Sequence, residues 1–148
     1  MFKHLLIPTD GSALAAKGIK AGVKLARTLG AKVSGVYVIQ PYSAPMYAEA
    51  SMYVPGSAFA DYYRASKTQA KKALAVVERE AAKAGVRCTG RVIEDAQPWQ
   101  GILKAARKAG CDALVMASHG RGGLGGVILG SQTARVLAHS KLPVLVIR

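Results

Sequence analysis

The sequence predicts an α/β domain: a doubly wound, five-stranded parallel sheet with helices on both faces. Short β-branched apolar runs alternate with longer segments of helical periodicity along the whole chain. The runs are nearly continuous in Val, Ile and Leu rather than alternating with polar residues, as expected of strands covered on both faces. The segments between them are long enough to be the helical crossovers that parallel strands require. With 148 residues, 51% of them hydrophobic, the chain has material for one core and little for a second domain.

The elements follow in order. Leu5 to Thr9 is an apolar run closed by the turn Asp10-Gly11-Ser12, after which Ala13 to Leu29 is Ala-rich and amphipathic, a first helix. Lys32 to Ile39 is a second strand, with Val33, Val36 and Val38 among its β-branched residues. Gln40 to Ser57, with three prolines, three tyrosines and two methionines, is the one long loop. Helical periodicity resumes from Ala58 to Ala84, and Gly85 is placed as a residue just past a helix end. Val86 to Glu94 reads as a third strand, Gln97 to Ala109 as a helix stopped at Gly110, and Asp112 to Ala117 as a fourth strand. A glycine-rich loop leads to a helix over Ser131 to Ser140, with the Ser131 hydroxyl as its expected N-cap. Pro143 to Ile147 closes the chain as a fifth strand.

Composition excludes several classes. No apolar stretch approaches the roughly 20 residues of a membrane span, and Met1-Phe-Lys-His4 runs straight into a strand rather than a signal sequence, so a cytoplasmic protein is expected. Cys88 and Cys111 form neither a Cys-x-x-Cys pair nor a cluster with histidines, which argues against disulfide scaffolds and zinc sites. Lys and Arg number 21 against 8 Asp and Glu, a net charge of +13. Lys17, Lys20, Lys24 and Arg27 recur at helical spacing, as do Arg64, Lys67 and Lys71; these are solvated faces or a surface for an anionic partner.

In such sheets ligands collect beyond the carboxyl ends of the strands, where strand order reverses. The segments there are Pro8 to Ser12, Val38 to Ser57, and the run from Met116 to Ser131, which holds six glycines between positions 120 and 130. Gly120 to Gly125 spells G-x-G-x-x-G, but after the fourth strand rather than the first and with no acid about 20 positions on. Gly125 to Ser131 has part of a Walker frame but lacks its lysine, which disfavours P-loop hydrolysis. The loop is either a flexible turn or a phosphate cradle ahead of a helix N-terminus.

Four segments in order, Leu6-Ile-Pro-Thr-Asp-Gly-Ser12, Ser118-His-Gly-Arg-Gly-Gly-Leu124, Leu129-Gly-Ser131 and Lys141-Leu-Pro-Val-Leu-Val-Ile147, resemble the universal stress protein family over essentially the whole chain. The resemblance implies the strand order 3-2-1-4-5 and a homodimer paired through Pro143 to Ile147. An apolar edge strand with free ladder groups is an aggregation hazard unless paired, which agrees.

ATP-binding members carry Gly-x-x-Gly, nine residues, then Gly-Ser or Gly-Thr. Gly120, Gly130 and Ser131 match in register, but Ala117 stands at the first glycine. If that position needs positive φ, the Cβ costs roughly 1 to 2 kcal/mol, or about tenfold in affinity per 1.4 kcal/mol; if φ is ordinary, only a methyl near the ligand remains. By similarity, Pro8, Thr9 and Asp10 line the ribose and adenine side, and the Val38 backbone reads the base. Met116, Ala117, Ser118, His119, Gly120, Arg121, Gly122 and Gly123 wrap the phosphates, while Ser131, Gln132 and Thr133 present N–H groups and hydroxyls.

Each assignment has a plainer counterpart: Asp10 as an Asx turn or helix cap, Arg121 as a solvated cation, and His119 as a backbone-bonding turn residue. Tyr42, Met46, Tyr47, Met52 and Tyr53 form a lid over adenine or pack on the neighbouring helix. Glu94 and Asp95 follow a strand away from the switch point, and no catalytic set or metal ligand is apparent. The expected function is therefore ATP binding, with or without magnesium, in a stress-response regulatory role with slow hydrolysis at most. The alternatives are a family member without nucleotide that acts through protein contacts, and a basic polyanion-binding module. Nucleic acid ranks last, because the tyrosines and basic residues lack the interleaving of a base-stacking surface.

Overall fold

A computed structural model describes residues 1–42, 56–118 and 129–148. Among the described residues nine elements alternate: β1 (His4–Pro8), α1 (Ala13–Leu29), β2 (Lys32–Ile39), α2 (Ser57–Lys83), β3 (Cys88–Glu94), α3 (Pro98–Ala109), β4 (Ala113–Ala117), α4 (Ser131–His139) and β5 (Val144–Ile147). All strand pairs are parallel, in the order β3-β2-β1-β4-β5. The doubly wound class and the strand order are therefore as expected.

Strand alternation divides the core in two. Leu5, Ile7, Val33, Ala113 and Val115 face α1 and α2 and meet Ile19, Val23, Val77 and Ala81. Leu6, Val36, Leu114 and Met116 face α3 and α4 and meet Ile102, Ala105, Ala106 and Val136. The three central strands are almost wholly buried, whereas β3 and β5 are half-buried, since an edge strand has one neighbour and less helix above it.

Most element bounds fall within one residue of the sequence reading, while the start of β3 and the cap of α4 depart from it for local reasons. β3 begins at Cys88 rather than Val86, because Val86 is held in the turn that follows α2. Gly85, at φ +68°, turns the chain so that its N–H donates to the Ala82 carbonyl and Val86 N–H to that of Ala81, while the Val86 side chain closes over the core. At α4 the N-cap is Gly130, not Ser131: the Gly130 carbonyl already accepts from Ala134 N–H at 2.9 Å, which places Ser131 inside the first turn. Glycine has no side chain to cap with, so no side-chain hydrogen bond closes that helix start.

The basic faces are as exposed as their spacing suggested: Lys17, Lys20, Lys24, Arg27, Arg64, Lys67 and Lys71 all lie in solvent. Both thiols are pushed up by burial, Cys111 to about 11, which keeps them protonated and unreactive at neutral pH.

Candidate functional site

The site is built where β1 and β4 part. Along β1, residues 5, 7 and 9 direct their backbone groups at β2, and residues 4, 6 and 8 at β4. The bonds Thr9 N–H to Val36 O (2.9 Å) and Asp112 N–H to His4 O (2.9 Å) fix that parity. Pro8 is thus the residue whose N–H would continue the ladder to β4, and proline has none. The β1–β4 register ends at Leu6↔Leu114, and a crevice opens above it.

Beyond Pro8 the chain turns sharply into α1. Asp10 Oδ1 accepts from Ser12 N–H at 2.9 Å, Thr9 Oγ1 accepts from Gly11 N–H at 3.2 Å, and Ser12 Oγ caps the helix by accepting from Ala15 N–H at 3.1 Å. Asp10 therefore makes the Asx turn and Ser12 is the cap. On the other side of β1, the β1–β2 register ends at Pro8↔Val36, two residues short of Val38. Val38 shares Val36's parity, so its N–H and C=O face the space that β1 has left. Its side chain packs instead on α3, at Gly101.

On the β4 side, Met116 is buried in the core below α3 and α4, so only its backbone borders the crevice. Ala117 ends the strand with a negative φ, the ordinary case, and no positive-φ penalty applies. Its methyl is directed at α1. A Cβ at Gly18 would lie 3.0 Å from the Ala117 nitrogen and 3.4 Å from the Ala117 Cβ, so Gly18 is what lets α1 sit this close. The methyl at the departing motif position is packing on α1 rather than facing the helix start of α4.

Ser118 anchors the base of the loop. Its N–H donates to Ile147 O at 2.7 Å, and its carbonyl accepts from Gly130 N–H at 2.6 Å, which sets Ser118 beside the start of α4. The sequence reading gave Thr133 a hydroxyl for the ligand. In the structure Thr133 is buried and its Oγ1 donates to Ala117 O at 2.9 Å, fastening α4 to the tip of β4. Gln132 reaches sideways, its Oε1 accepting from Trp99 N–H at 3.1 Å at the start of α3. The N–H groups of the first α4 turn, from Ser131 on, are left at the crevice by a helix start with no side-chain cap.

Pro8, Thr9, Asp10, Val38, Met116, Ala117, Ser118, Gly130, Ser131, Gln132 and Thr133 thus gather at the carboxyl end of the three central strands. His119, Gly120, Arg121, Gly122 and Gly123 lie outside the described residues, as do Met46, Tyr47, Met52 and Tyr53. Tyr42 packs on α2, its ring 6.2 Å from that of Phe59 and 5.3 Å from that of Tyr62. Asp95, beyond the edge strand β3, is engaged by Lys104 at 2.6 Å, which holds its carboxyl below the usual carboxylate range. Sequence reasoning missed Gly18 and Trp99, which act only through neighbours distant in sequence.

Comparison with known proteins agrees with this fold. The universal stress protein YxiE of Bacillus subtilis is 30% identical over 149 residues, covering 100% of both chains. The solved structure of universal stress protein UspA from Lactobacillus plantarum matches with a TM-score of 0.81 at 21% identity, over 99% of this chain and 97% of that one. A universal stress protein from Archaeoglobus fulgidus, solved in complex with dAMP, matches with a TM-score of 0.69 at 17% identity, over 100% and 98% of the two chains. The profile of the universal stress protein family matches residues 1–148. A profile match over the whole chain and a full-length relative at 30% identity, on this strand order, show that the chain belongs to the universal stress protein family.

Proposed function

We propose that this protein binds ATP or a related adenine nucleotide at the carboxyl end of its sheet and acts as a cytoplasmic stress-response regulator rather than a fast enzyme. The observation that carries the reading is the start of α4, which has no side-chain cap and is tied by Thr133 and Ser118 to the tip of β4, beside the crevice that Pro8 opens. That arrangement suits phosphate oxygens at the helix start, the Val38 backbone at the base, and Thr9 and Asp10 along the ribose. The dAMP complex of the Archaeoglobus relative supports an adenine nucleotide as the ligand class. Turnover is not favoured, since Asp10 is committed to the Asx turn and Asp95 to Lys104.

Calorimetric titration with ATP is the test, and it is expected to show one saturable site. Gly130→Asp keeps the helix start, since Asp is a good N-cap and φ −55° is open to any residue, but sets a carboxylate where the phosphates belong. Affinity is expected to fall at least about tenfold. Ala117→Gly is expected to leave affinity within about twofold, because that methyl faces α1. Protein that carries no nucleotide from cells and shows no heat with ATP would favour action through protein contacts instead.

The same reading includes a homodimer through β5. Val144–Ile147 is an edge strand, with Leu145 45% exposed. Light scattering at micromolar concentration is expected to give twice the chain mass, and Val146→Pro, which removes a ladder donor, is expected to shift it toward the monomer. A monomeric mass for the unaltered chain would sink the dimer.

A further inference from the structure

The opposite end of the sheet carries a feature that the nucleotide reading does not use. His4, Lys32, Ser34, Arg87, Cys88, Thr89 and Arg91 line a cleft of about 430 Å³, at the amino ends of β1, β2 and β3 and against Ala109 at the end of α3. The register explains the convergence. Val33 N–H donates to Arg87 O at 2.8 Å, and Ser34 pairs with Thr89, so Arg87, Thr89 and Arg91 stand on one face of the edge strand beside Lys32 and Ser34. His4 lies under them, its Nε2 2.9 Å from Ser34 Oγ.

The cations here are uncompensated. Among the described residues Lys32, Arg87 and Arg91 form no ion pair, and the buried Arg91 Nε has no hydrogen-bond partner. The acids nearby are engaged elsewhere or lie across the sheet. Asp112 accepts from Lys3 N–H at 2.7 Å and His4 N–H at 3.1 Å, and Glu78 on α2 lies on the other face, against Gly90. Cys88 is held protonated by burial, so no thiolate opposes an anion. His4 is held neutral chiefly by burial, then by Lys32, against the opposite pull of Asp112 and the Gly110 carbonyl.

We propose that this cleft is a second ligand site, which binds a small phosphate-bearing anion through Lys32, Arg87 and Arg91 with the Thr89 hydroxyl. Two guanidinium forks, an ammonium and a hydroxyl offer donors in several directions, which suits tetrahedral, multiply charged phosphate better than a single planar carboxylate. A ligand oxygen would also give the buried Arg91 Nε the acceptor it lacks. The concave shape and volume fit a small molecule, whereas a nucleic-acid backbone would need a longer basic track. The site is separated from the nucleotide crevice by the length of β2, roughly 25 Å.

The test is titration of the full chain with inorganic pyrophosphate at constant ionic strength, followed by calorimetry and by amide NMR shifts. Saturable binding is expected, with shifts at Lys32, Thr89 and Arg91. Arg87→Gln, at an exposed position, and Arg91→Gln are each expected to weaken binding about tenfold, the loss of one charge-assisted contact. Lys17→Gln on the α1 face should leave it unchanged, and ATP affinity should be the same in Arg87→Gln as in the unaltered chain. Shifts confined to Ser131, Gln132 and Thr133 would overturn the proposal, as would an equal effect of Lys17→Gln or binding that fails to saturate by roughly 10 mM. Displacement of pyrophosphate by short DNA at equal phosphate concentration would reassign the cleft to a polyanion and equally overturn it.

Discussion

Leu114→Ala is expected to lower stability by about 3 kcal/mol. Leu114 is 0% exposed at the centre of β4, where it packs with Leu6, Val36, Ile102, Met116 and Val136. Truncation removes the transfer energy of its methyl groups and leaves a cavity between a sheet and two helices that have little freedom to collapse. For a domain of this size the midpoint of thermal unfolding should fall by roughly 6 to 12 °C. Urea denaturation provides the check: the midpoint should drop with the slope unchanged, because the surface exposed on unfolding is nearly the same. A loss below about 1 kcal/mol would mean that α3 and α4 repack over the gap.

The second large effect concerns the link between stability and the proposed site. Thr133→Val keeps the shape of the side chain but removes the hydroxyl that donates to Ala117 O. That carbonyl projects toward the β1 side of β4, above the point where the β1–β4 ladder has ended, so the strand pairing does not replace the lost donor. An orphaned buried carbonyl costs on the order of 1 to 3 kcal/mol. The same change removes one of the two bonds that hold the start of α4 to the end of β4, leaving Gly130 N–H to Ser118 O, so nucleotide affinity should fall in parallel, while Thr133→Ser, which retains the donor, should recover both. Equal stability of the valine variant and the unaltered chain by urea denaturation would remove Thr133 from its role as the fastening of the helix start.

Much of the fold was legible because it rests on local rules. The period of apolar residues separated strands from helices, glycines marked the ends of α2 and α3, and the bounds of α1 and β2 agree residue for residue with the reading. Errors fell where a hydrogen bond overrode the pattern. Val86 looked like the first residue of a strand but is held by Ala81 O, and Ser131 looked like a cap but stands one residue inside the helix. The site was legible in part, since Pro8, Asp10 and Gly130-Ser131 sit at turns that carry their own chemical signatures.

Other features had no readable signal. That Ala117 faces α1, that Thr133 turns inward, and that Gly18 permits the close approach depend on contacts between segments distant in sequence. Arg87, Thr89 and Arg91 did carry a signal, a period of two along a strand, but it meant nothing until the register set Lys32 and Ser34 beside them. The sequence by itself determined the elements, their order and the family, because hydrophobic period, turn residues and motif spacing act over a few residues at a time. Only the tertiary structure decided which donors are spent within the protein and which face the crevice, because a hydrogen bond between distant segments is set by strand register and side-chain direction.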